Sequence, residues 1–234
     1  MLSNFLGQYG FTEIFMAFCI TLYIISLLLN PKAVFQAMGL FSFLSPNMQS
    51  LDALGMTGAY AMKQGRWWTL LTAIFLHGGL LHIYFNLSSI RQLAPAVEEF
   101  FGTPRLILIF MVSGVLGFVF SNWLGIQFTV GASGSLFGLL GALVYYGRDR
   151  GGAFGTAIFK QSWQGALVNL LLGFFLPIVN NWAHIGGFIG GYLTAMLLGY
   201  TEKRRENLAM QISALSSVGL IILVFGIVAW RILF

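Results

Sequence analysis

Along this 234-residue chain, polar side chains fall in short intervals. Between them lie apolar runs near twenty residues, the length a helix needs to cross hydrocarbon. Runs at 11–30, 69–90, 105–123, 131–147, 163–181, 182–200 and 211–233 predict seven helices. The fourth is short and glycine-rich, and only the polar patch "NNWAH" parts the fifth from the sixth. The connection 31–68 is too aromatic for a disordered linker and too broken by Pro, Gly and Ser to span, so it is expected to lie partly in the membrane interface. No soluble domain, low-complexity tract or repeat interrupts the pattern, and residues 1–234 read as one membrane domain. With no basic residue ahead of the first run, that helix is expected to be an uncleaved anchor.

Composition names the solvent. Apolar residues make up 58% and charged ones 8%, with a mean hydropathy of +0.84, whereas about a quarter of ordinary globular sequence is charged. The fold class is therefore an all-α polytopic membrane protein. A single cysteine, Cys19, excludes an internal disulfide. The net charge of +5 is scattered, which fits loop topology rather than a nucleic-acid partner. Arg91, Arg105, Arg148, Arg150, Lys160, Lys203, Arg204 and Arg205 are assigned to one set of alternate loops, and Lys32, Lys63, Arg66 and Arg231 to the other. The richer side is expected to be cytoplasmic, with 31–68 outside and both the second and fourth helices running inward.

Against that background the polar residues inside spans stand out, because burying them in hydrocarbon is costly. They are His77, His82 and Asn86 in "LHGGLLHIYFNL", Ser133 in "GASG", and His184 after "NNWA". The predicted orientation puts all five in the outer half of the membrane, on three helices. His82 and Asn86, four apart, share a face, while His77 lies well round the predicted helix. Small-residue stripes at Gly134, Gly138 and Gly141 and at Gly187, Gly191 and Ala195 let the fourth and sixth helices approach closely. His184 could then take the Ser133 proton. Ser133 opens its helix, where free N–H groups suit a developing oxyanion, and His82 and Asn86 add side-chain donors. Of seven carboxylates only Asp52 is predicted on the outer side, so the pair reads as a dyad without an acid.

These motifs resemble the rhomboid family of intramembrane serine proteases. "HGGLLHIYFN" is similar to its His-and-Asn motif, "GASG" to its Gly-x-Ser-Gly nucleophile motif, and "AHIGGFIGGY" to the helix bearing its histidine. The long outer loop and "VEEFFG" fit as well, and the likeness covers about residues 10–200, a six-helix core, with 211–233 as an added helix. It implies Ser133 as nucleophile, His184 as general base, and His82, Asn86 and the Ser133–Gly134 backbone around the oxyanion. Gly131, Phe137 and His77 would support the site, and Glu98 would hold a structural hydrogen bond. Substrates would be transmembrane proteins cut in or beside their membrane segments, in contact with lipid and with no metal or organic cofactor. A bacterial inner membrane, with the N-terminus cytoplasmic and the site toward the outer face, is the expected location. Two departures are visible. "GRWWTL" puts Arg66 ahead of the tryptophans where the family often has Trp-Arg. Phe137 stands where a tyrosine is common, and can stack on His184 but not hydrogen-bond.

Other classes fit less well. There is no His-Glu-x-x-His for a metalloprotease, and both aspartates are predicted in loops rather than in spans. The inner halves of the helices lack the ionisable residues a transporter would place along a path. An inactive rhomboid-like module that only binds membrane proteins is the nearest rival, although this chain keeps both serine and histidine. The seventh helix, bare of ionisable residues before Arg231, is expected to be peripheral.

Overall fold

The computed structural model describes residues 10–34, 43–176 and 179–234. Seven long helices dominate it: α1 (Phe11–Leu28), α2 (Leu80–Phe101), α3 (Thr103–Trp123), α4 (Ser133–Arg150), α5 (Gly152–Phe175), α6 (Asn181–Leu198) and α7 (Leu208–Leu233). Among the described residues the only extended pairing is one antiparallel bridge, Thr57 with Thr129. α1, α3 and α7 are each long and apolar enough to cross a membrane, and the bent pair Thr69–Phe75 with Leu80–Phe101 meets the same measure. This is an all-α polytopic membrane protein.

α4 sits at the centre, with every residue from Gly134 to Gly147 buried, and α3, α5 and α6 pack around it. A helix enclosed by protein need not be greasy, so α4 carries serine and many glycines in place of lipid-facing side chains, while α6 turns Ile189, Leu193 and Leu197 outward and lays its glycines inward. Lipid tails are as apolar as leucine, and association is driven by close packing rather than by burial from water. Backbone-to-backbone contact supplies it. A methyl group on Gly187 would overlap the backbone of Gly134, and one on Gly191 would overlap that of Gly138.

Three boundaries differ from the hydropathy pattern. The run 69–90 is not one helix. Thr69–Thr72 and the tight turn Ala73–Phe75 form an elbow, after which α2 departs at 89° and continues to Phe101. Arg91, expected in a loop, therefore lies within α2. α5 begins at Gly152 rather than 163, which takes Lys160 into its interior. In both cases the polar residues are exposed on one side of a helix, and a window average reads that as a loop. The connection 31–68 contains short helices at Pro31–Val34, Met48–Leu54 and Ala59–Lys63, the second capped by Asn47, whose side chain accepts from Ser50 N at 2.7 Å. Its residues 35–42, the N-terminal 1–9 and the 177–178 part of the predicted fifth span lie outside the described residues.

Candidate active site

The site forms where the N-terminal ends of α2, α4 and α6 meet. The seam between α4 and α6 does most of the positioning: a methyl on Gly134 would lie 3.3 Å from Ala183 O, and one on Gly117 of α3 2.6 Å from the same oxygen. Ser133 and His184 are the chain neighbours of Gly134 and Ala183, so each stands at the start of its helix beside the point of closest approach. The His184 ring stacks on Phe137 with centroids 4.2 Å apart and planes 11° from parallel. Among the described residues, neither the Ser133 hydroxyl nor His184 Nδ1 has a hydrogen-bond partner. Nucleophile–base hydrogen bonds are often long or misaligned without substrate, so proximity and ring orientation are the informative features here.

No side chain caps α4. The N–H groups of its first turn therefore keep their positive end free, as expected for residues that precede the first intrahelical bond. Gly131, two residues earlier, is held at φ 121°, and its N–H donates to Ala73 O at 2.9 Å. A side chain there would be strained and would also strike His82, since a Cβ would lie 2.5 Å from Nε2. His82 Nδ1 accepts from Gly78 N at 3.2 Å. In a neutral imidazole one nitrogen accepts and the other donates, so the proton is on Nε2, the atom that faces the Gly131 turn. Asn86 lies one turn further along α2 and donates through Nδ2 to His82 O at 2.8 Å. The opposite amide orientation would set two oxygens face to face, so this one is chemically required, and one Nδ2 proton remains free.

His77 is not on α2. It lies in the turn 76–79, with its ring edge-on to that of His82 at 5.1 Å, and is almost fully buried. Ser133, Gly134, Gly131, Phe137, His77, His82, Asn86 and His184 are thus gathered at one end of the bundle. Glu98 is not among them. It lies sixteen residues beyond His82 on α2, roughly 24 Å along the helix axis, where its Oε1 accepts from Thr103 Oγ1 at 2.6 Å.

Sequence reasoning passed over Asn180. Its Oδ1 caps α6 by accepting from Ala183 N at 3.1 Å. Its Nδ2 donates to Ser121 Oγ at 2.6 Å and to Thr129 Oγ1 at 3.1 Å, tying the start of α6 to α3 and to the strand-like segment before α4. The signal was present, an asparagine immediately before an apolar helix, but its two cross-chain partners could not be read from spacing. Asp52 forms a bidentate pair with Arg66, Nη1 to Oδ2 at 3.1 Å and Nη2 to Oδ1 at 2.5 Å. The acid expected on the outer side is therefore spent on a loop arginine.

Serine and histidine thus stand at adjoining helix starts inside a polytopic α-helical membrane bundle. The family follows from comparison: residues 64–201 match the model of the Rhomboid domain, and the chain belongs to the rhomboid family. Rhomboid protease GluP of Bacillus subtilis is 37% identical over 155 residues, covering 66% of this chain and 31% of that protein. RHOMBOID-like protein 5 of Arabidopsis thaliana is 33% identical over 185 residues, 70% of this chain and 57% of its own length. RHOMBOID-like protein 2 of Arabidopsis thaliana is 31% identical over 228 residues, 85% of this chain and 70% of its own. The chain thus spans about a third of GluP and little more than half of RHOMBOID-like protein 5. No group of three metal-ligating side chains occurs among the described residues.

Proposed function

We propose that the protein is an intramembrane serine endopeptidase acting through a Ser133–His184 dyad on transmembrane protein substrates. The observation that carries this reading is the α4–α6 seam, where overlap-free contact requires glycine at 187 and leaves little room for a side chain at 134, and so holds serine and histidine on neighbouring backbones. Ser133 Oγ attacks the scissile carbonyl as its proton passes to His184. The oxyanion that forms is met by the free N–H groups at the start of α4, by His82 Nε2–H and by the remaining Asn86 proton. Collapse expels the amine, which takes the proton from His184, and leaves an acyl group on Ser133. Water, deprotonated by His184, then releases it. In a triad a carboxylate holds the histidine in place. Here the Phe137 ring does so by stacking, with no hydrogen bond to His184 Nδ1.

In this reading the site opens toward the outer face of a bacterial inner membrane, with the N-terminus cytoplasmic, and Arg105, Arg148, Arg150, Lys203, Arg204 and Arg205 mark the inner end. The test is cleavage of a membrane-spanning reporter in proteoliposomes by wild type and by Ser133→Ala. Turnover by wild type alone is expected. Substrate binding without turnover by wild type would favour the non-catalytic membrane-protein binder instead. Orientation is checked separately: an impermeant thiol reagent should label Asp52→Cys and spare Arg204→Cys in intact cells.

A further inference from the structure

α7 is docked on the elbow that precedes α2. Its Phe225 meets Phe75 edge-on at 6.0 Å and Phe18 of α1 at 5.1 Å. Arg231 lies over the Trp68 ring at 5.6 Å, the same ring that Arg66 approaches at 5.8 Å. Ala214, Val224 and Val228 are buried, while Ile222 and Leu223 face outward. The helix is also tethered at its start. Fully buried Arg105 donates from Nη2 to Arg204 O at 2.6 Å and Arg205 O at 3.2 Å, and Thr201 bonds Phe100 O through both N and Oγ1.

The elbow it touches has two further partners, both in the site. Ala73 O receives the Gly131 N–H, which fixes the turn two residues ahead of Ser133. Gly78 N–H holds His82 Nδ1, which sets the His82 tautomer. Phe75 sits between those two bonds in sequence, its ring packed by Phe15 at 5.5 Å and Phe18 at 5.2 Å of α1 and by Phe225 of α7. We infer that α7 is a buttress of the site: Phe225 is a positioning residue that, through Phe75 and the elbow, holds His82 Nε2–H and the Gly131 turn in register with Ser133. The inference rests on the protease reading for its kinetic consequence but not for its structural one.

Phe225→Ala, Phe225→Tyr and the lipid-facing control Ile222→Ala are compared in the full chain in proteoliposomes, with two readouts. One is the kinetics of reporter cleavage; the other is the 15N NMR signature of the His82 ring, which distinguishes an Nε2–H tautomer from a mixture. Misplacement of a reacting group by a fraction of an ångström is costly, so Phe225→Ala should lower kcat about tenfold with KM unchanged, and should move the His82 ring toward mixed tautomers. Phe225→Tyr, which keeps the ring, should restore both, and Ile222→Ala should change neither. If Phe225→Ala does not fold, Phe225→Leu is read in the same way. A His82 signature that stays at the wild-type position, or an unchanged kcat in an active enzyme, overturns the inference even if the melting temperature falls. If wild type itself does not cleave, the protease reading fails, and the His82 signature alone decides whether α7 braces the elbow.

Discussion

The two ends of the bundle treat polar groups in opposite ways. At the end away from Ser133, several charges are paired. Lys203 holds Asp149 at 2.9 Å, Arg150 holds Glu202 at 3.2 Å, Thr103 donates to Glu98, and Arg105 caps two carbonyls of the linker before α7. At the Ser133 end, His184 leaves Nδ1 and Asn86 leaves Oδ1 without a partner. Buried polar atoms without partners cost about 1–3 kcal/mol each and are scarce in native proteins. Others occur elsewhere, Arg105 Nε at the far end among them, but Asn86 and His184 hold theirs beside Ser133. Under the proposed function, the polar atoms left open beside Ser133 are available to groups that arrive with substrate.

The strongest way to break this contrast is at the dyad. Ser133→Ala and His184→Ala should each abolish reporter cleavage while melting close to wild type, and the double variant should be no worse than either, because the two act as a unit. Additive losses, measured as single-turnover rates, would separate their roles. The next effect is smaller. His82→Ala and Asn86→Ala each remove one oxyanion donor while the α4 N–H groups remain, so cleavage should fall by about 10²-fold with KM little changed. Unchanged specific activity with equal thermal destabilisation would make α2 a scaffold only.

Gly187→Ala tests the seam between α4 and α6. The added methyl overlaps Gly134, and overpacking of this kind costs about 1–3 kcal/mol. A lower melting temperature should come with a lower kcat, since the displaced backbone carries Ser133. The smallest effect belongs to the far end. Asp149 raises the pKa of Lys203 by hydrogen bonding to its ammonium. The pair's contribution is therefore present below the ordinary lysine range and is lost only as pH rises through the raised value. Lys203→Ala should leave specific activity unchanged at neutral pH and give the smallest melting shift of the series, as exposed pairs contribute little.

Much of this molecule was legible in advance. A bilayer demands apolar stretches of fixed length, so the seven helices could be counted, and the Ser133, His184, His82 and Asn86 positions stood out because polar groups in spans are rare. The glycine stripes at 134, 138, 187 and 191 announced the α4–α6 contact, since only small residues allow it. Other features had no local signature. Hydropathy records the surrounding medium, not the direction of the chain, and it runs unbroken through the 89° elbow that moves His77 off α2. Arg105 read as a loop charge because two of its carbonyl partners lie about a hundred residues away. Asn180 read as part of a polar patch because its hydroxyl partners belong to α3 and to Thr129. α7 read as an appendage because nothing in its own residues reveals that Phe225 rests on Phe75. Sequence by itself determined which segments are apolar enough to form long helices and which polar side chains stand out among them, because solvent preference and residue type are properties of position. Tertiary structure alone decided which of those side chains face one another and what braces them, because distant chain segments become neighbours only when the helices pack.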